Sequence, residues 1–141
     1  SPSFPGRLMT SAQSKNHARA FLQKAQEYLD SAHDNHDLER ATPAAGDAIH
    51  AGISAKDAIV TALTGATSKA KDHAAAAREL RRALGAHADA ATAEKALRDL
   101  IAAKAEVEYG AKLITPAKVD PLLRRAETLV DLAIKLVRPG P

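Results

Sequence analysis

The chain has 141 residues, 45% hydrophobic and 26% charged, with a formal net charge of +3: the proportions of one folded domain, with a charge that permits a nucleic-acid partner without requiring one. The absence of cysteine excludes disulfides, thiolate catalysis and cysteine-based zinc sites. No apolar run reaches the roughly 18 residues of a membrane-spanning helix, and no signal-peptide core precedes the first helix, so a cytoplasmic protein with no membrane partner is expected.

Alanine dominates the composition and favours helix throughout, while two Phe, two Tyr and no Trp leave alanine, leucine, isoleucine and valine to fill the core. Residues 1–8 carry Pro2, Pro5 and Gly6 without helical pattern and read as an expression scar or leader ahead of a native start at Met9. A single domain over 9–138 and a short tail at 139–141 are expected.

The first helix is predicted from about Lys15 to Ala32. Its apolar stripe is Ala18, Phe21, Leu22, Ala25, Leu29 and Ala32. Asp34 to Asp37 read as a polar turn, and Thr42-Pro43 as an N-cap followed by proline at the first helical position. The second helix then runs to about Leu63 on Ala45, Ala48, Ile49, Gly52, Ile53 and Val60, with Lys56 interrupting the stripe and Gly65 as C-cap.

The third helix is expected over about Lys71 to Leu84, with Ala76, Ala77, Leu80 and Leu84 inward and Gly85 as its stop. The fourth follows His87-Ala88-Asp89, carries Ala93, Leu97, Leu100, Ile101 and Val107, and closes at Tyr109-Gly110. Thr115-Pro116 opens the last helix, with Asp120-Pro121 a second signal that would restart it. That helix shows two apolar faces. Leu123, Val130, Ile134 and Val137 lie off the Leu122, Ala126, Leu129, Ala133 line, which fits either a homodimer or a central position in its own bundle. The fold expected is all-α, an up-down bundle of four to five helices.

The order of these features resembles the HEPN domain (higher eukaryotes and prokaryotes nucleotide-binding), as found in small bacterial stand-alone proteins. The residues that carry the resemblance are Ala48-Ile-His50-Ala-Gly52-Ile-Ser-Ala-Lys56-Asp57-Ala58, then Gly65, then Asp72-His73-Ala74, and later Lys104-Ala-Glu-Val-Glu-Tyr109-Gly110 before a closing amphipathic helix. The resemblance implies a dimerising helical bundle. In many members it implies a metal-independent ribonuclease, some of them toxins restrained by a nucleotidyltransferase-like antitoxin. The family's arginine, four to six residues, then histidine motif would stabilise phosphorane-like charge and move protons.

Here Lys104 and Tyr109 stand at the motif's arginine and histidine, and a tyrosine is a poor proton shuttle at neutral pH. Arg82 and His87 satisfy the spacing literally, but at the end of the third helix and at a frequency chance supplies. An RNA-binding or partner-binding module is therefore expected ahead of a ribonuclease.

Arg78, Arg81 and His73 are the binding candidates, with Arg78 and Arg82 on one helix face, but Glu79 and Asp72 dilute the patch and a solvated charged face is the default reading. Arg124 and Arg125 form a second basic pair. Asp30-x-x-His33 and Asp47-x-x-His50, supplemented by Glu106, Glu108 and Glu127, have the spacing of di-metal bundles, but capping and surface roles fit them better and no metal is expected. No phosphate-cradling glycine loop or nucleophile motif is present, so no cofactor is expected either.

Overall fold

The computed structural model describes residues 9–68, 70 and 72–137. The proposed leader at 1–8 and the tail at 139–141 lie outside the described residues, as does the side chain of His73. The elements are α1 (Ser11–Asp37), α2 (Ala41–Thr64), α3 (His73–Leu84), α4 (Ala90–Tyr109) and α5 (Pro116–Leu136).

α1 begins earlier than its apolar stripe because Thr10 and Gln13 form a reciprocal capping box. The Gln13 backbone N–H donates to Thr10 Oγ1 at 3.1 Å and the Thr10 N–H to Gln13 Oε1 at 3.0 Å. It also ends later. The polar run 34–37, expected as a turn, is helical, because its polar side chains serve the neighbouring helices. Asn35 Nδ2 donates to Asp47 Oδ2 on α2 at 3.0 Å, and His36 Nε2 lies 2.9 Å from Asp120 Oδ1 on α5. The reversal is confined to Leu38–Arg40, with Glu39 at a φ of 60°.

α2 starts at Ala41, so Thr42 is not its N-cap. Its hydroxyl accepts the Ile114 N–H at 3.4 Å and ties the α4–α5 loop to this end of the bundle. Pro43 falls in the first helical turn, where a missing N–H removes no intrahelical bond. Gly65 takes the left-handed conformation and caps the helix through Thr61 O, as its sequence position predicts. α3 starts at His73, capped by Asp72, whose Oδ1 accepts the Ala75 N–H at 2.7 Å. Pro121 does not restart α5. The helix runs through it from Pro116, since a proline near a helix start forfeits only one backbone bond.

α1, α2, α4 and α5 alternate up and down, and α3 lies within the connection from α2 to α4. The packing is a rhombus: α2 touches every other helix and α5 touches α1, α2 and α4, while α1 and α4 do not meet among the described residues. α2 and α5 therefore form the short diagonal. This explains why α2 is apolar nearly all round, with buried residues from Ala44 to Thr61. It also settles the two faces of α5. Leu123, Val130 and Val137 are buried inside the chain together with Leu122, Ala126, Leu129 and Ala133, and only Ile134 remains exposed. The second apolar face is thus largely spent on the bundle itself, with Ile134 left at the surface.

Small side chains set the spacing of the helices. Ala18, Ala25 and Ala32, seven residues apart on α1, are fully buried, as are Ala44, Ala48, Ala51, Ala55 and Ala58 on α2. At Gly52, a Cβ would overlap Leu100 of α4 and stand 3.3 Å from Leu129 Cδ1 of α5. No helix among the described residues is long and apolar enough to cross a membrane.

Candidate anion-binding face

The residues nominated by the arginine–histidine motif do not converge. Lys104 is half-buried on α4, whereas Tyr109, its last residue, is 81% exposed. Five helical residues separate them by about 140° around the axis, so they occupy different faces. Lys104 shares its face instead with Glu108, which approaches His50 Nε2 at 3.6 Å. Arg82 lies in the last turn of α3 and His87 three residues beyond its end, where His87 Nδ1 accepts the Asp89 N–H at 3.0 Å within the α3–α4 turn.

The acid–histidine pairs separate as well. Asp47 accepts bonds from Ser31 Oγ at 2.6 Å and from Asn35, clasping α1 to α2, while His50 stacks on Tyr28 with ring centroids 5.2 Å apart. His33 Nε2 lies 3.2 Å from Glu127 Oε1 on α5. Among the described residues no three His, Asp or Glu come together to hold a metal ion.

What the fold does assemble is a cationic face across α3, α4 and the near edge of α5. Arg78 and Arg82 point outward from α3 and are exposed. Arg81 crosses to α4, its Nη1 3.1 Å from Glu94 Oε1, and Arg98 Nη2 reaches the other oxygen of the same carboxylate at 3.1 Å. Five residues further, about 140° round α4 and on its α5 side, the arrangement repeats: Asp99 Oδ2 is shared by Lys95 Nζ at 2.9 Å and Arg125 Nε of α5 at 2.7 Å. The hydrogen bonds from Lys95 and then Arg125 hold the Asp99 carboxyl below its ordinary value of 3.8.

Each carboxylate is thus divided between two cations, and the face keeps a positive surplus with Arg78 and Arg82 added to it. These pairs lie at the surface, where ion pairs contribute little to stability. Their consequence is position: the fork-shaped donors of Arg81 and Arg98 are held at set places on a rigid helical surface, the arrangement that suits phosphate oxygens, while Arg125 spends Nε on Asp99 and Nη1 on the Pro121 carbonyl at 3.0 Å. Arg78, Arg81 and Arg82 were visible as candidates in the sequence. Lys95, Arg98 and Arg125 were not singled out as part of one face, because nothing linear says that α3 and α5 flank α4. The alternation Glu94-Lys95-x-x-Arg98-Asp99 was the only local sign.

A second polar assembly also escaped the sequence. Lys56, which reads only as a break in the α2 stripe, is 5% exposed and joins Asp57, Ser68 and Glu79 at the base of α3. Comparison with known protein families, characterised proteins and solved structures finds no match to this chain.

Proposed function

We propose that this chain is a non-catalytic helical module that binds RNA through the cationic face of α3 and α4, by contact with the sugar–phosphate backbone. The observation that carries the reading is the sharing of Glu94 and Asp99 between paired cations, which leaves a contiguous row of partly uncompensated guanidinium and ammonium groups. The sequence resemblance to the HEPN domain supports the same reading. The scarcity of aromatic side chains argues against base stacking, so recognition rests on charge and shape and depends on salt.

Cleavage is not part of the proposal. The reading also needs neither a homodimer nor an antitoxin-like partner, since the last helix buries its second apolar face in its own bundle.

Fluorescence anisotropy with a labelled polyuridine oligonucleotide tests it. Binding at 50 mM salt that weakens by roughly tenfold or more at 200 mM is the expected result, from about three or more neutralised phosphates. No salt-dependent binding at 50 mM sinks the proposal. Metal-independent shortening of the oligonucleotide, with slowed growth on expression of the chain, is the outcome that favours a ribonuclease toxin in its place.

A further inference from the structure

The cation at Lys56 stands among Ser54, Ala55, Ala58, Ile59 and Val60, all buried on the central helix. A charge in such a place is costly unless its partners are well placed. Its partners come from three parts of the chain. Nζ lies 2.7 Å from Asp57 Oδ1 on α2, donates to Ser68 Oγ in the α2–α3 connection at 3.0 Å, and lies 3.9 Å from Glu79 Oε1 on α3. Ser68 closes the set by donating to Glu79 Oε1. Buried ion pairs give little net stability compared with an apolar replacement of equal volume, and in some proteins they fix a register instead.

α3 is the element that needs one. Among the described residues it touches only α2 and α4, and its large apolar anchors are Leu80 and Leu84. Glu79 and Arg81 stand about 200° apart on the helix, so Glu79 is held by α2 on one flank while Arg81 is held by Glu94 of α4 on the other. Gripped this way, the helix turns Leu80 inward and Arg78 and Arg82 outward.

We infer that Lys56 is a positioning residue for the anion-binding face: it locks the rotation and register of α3, and with them the arginines of that helix. The inference rests on the RNA-binding reading for its consequence, but the lock itself is measurable without RNA.

Hydrogen–deuterium exchange of the full chain, together with anisotropy on the same polyuridine probe, separates the two. Lys56→Met should speed exchange of the α3 amides by tenfold or more, with those of α1 and α5 unchanged. It should also weaken RNA binding about three- to tenfold with the salt slope preserved, as the docked fraction of α3 falls to about a third to a tenth while the docked contacts stay the same. Should Lys56→Met not fold, Ser68→Ala keeps every charge and should give a smaller increase confined to α3, and Lys56→Arg should restore most of the protection. Unchanged α3 exchange in the folded variants overturns the lock. Faster α3 exchange with unaltered RNA affinity overturns the positioning role. Failure of the unsubstituted chain to bind RNA counts against the proposed function alone, and the exchange data still decide whether Lys56 locks α3.

Discussion

Gly52 of α2 and Leu100 of α4 compete for one volume: a methyl group on the glycine would overlap Leu100 Cδ1, with Leu129 Cδ1 3.3 Å away on the other side. Leu100 and Leu129 are both fully buried, so a shift of either must be taken up by its packed neighbours. Gly52→Ala gains about 1 kcal/mol of helix propensity and incurs overpacking of about 1–3 kcal/mol. A net fall in melting temperature of a few degrees is expected. Gly46→Ala is its control, since a Cβ there meets only Val107 Cγ1 at an ordinary 3.9 Å, and stabilisation by roughly 0.5–1 kcal/mol should follow. Equal melting temperatures for the two variants would show that Leu100 yields without cost.

Thr61 is fully buried on α2, and its hydroxyl has no hydrogen-bond partner among the described residues. Valine has the same shape without the polar group. Thr61→Val should raise stability by about 1–2 kcal/mol, the desolvation cost of an unpaired hydroxyl. Urea denaturation with an unchanged m-value and a higher midpoint is the expected pattern; a lower midpoint would mean that the hydroxyl is satisfied in solution.

The Asp99 carboxyl, held down by Lys95 and Arg125, gives a pH dependence of defined sign. Its folded pKa lies below the ordinary 3.8, so the unfolded chain binds the proton first. The contribution to stability is full above about pH 5 and is lost as pH falls through the folded value. Asp99→Asn should lower stability by under about 1 kcal/mol at pH 7, as befits a surface network. The gap between variant and parent should close as pH falls through the folded pKa of Asp99. A gap that persists at low pH would assign the effect to packing.

On the cationic face, Arg82→Ala should weaken polyuridine binding and reduce the salt slope by about 0.7, the loss of one phosphate contact on a single strand. Lys104→Ala and Tyr109→Phe should change neither: Lys104 stands about 120° round α4 from Arg98, and Tyr109 lies about 16 Å beyond Arg98 along the helix. An equal effect from Tyr109→Phe would move the binding surface to the α4 terminus and the motif positions found there.

The helices themselves were legible in the linear pattern. Gly65, Gly85 and Gly110 mark helix ends where the sequence predicts them, and the inward alanines and leucines of α3 and α4 are the buried ones, because helical period and backbone stereochemistry are local properties. Boundaries failed where a polar residue serves a distant helix. Asn35 and His36 look like turn residues until Asp47 and Asp120 are placed beside them, and Thr42 looks like a cap until Ile114 arrives.

The site was less legible than the fold. The arginines of α3 declared themselves as a cluster, but the sharing of Glu94 and Asp99 needs three helices side by side, and the burial of Lys56 needs α3 folded back over α2. Period and composition decided that this chain is a helical bundle. Only the tertiary packing decided that α2 and α5 form the short diagonal, that the second face of α5 is consumed internally, and that charges far apart in sequence meet across α4. Side-chain period depends on neighbours a turn away, whereas electrostatic and packing contacts depend on which helices the chain reversals bring together.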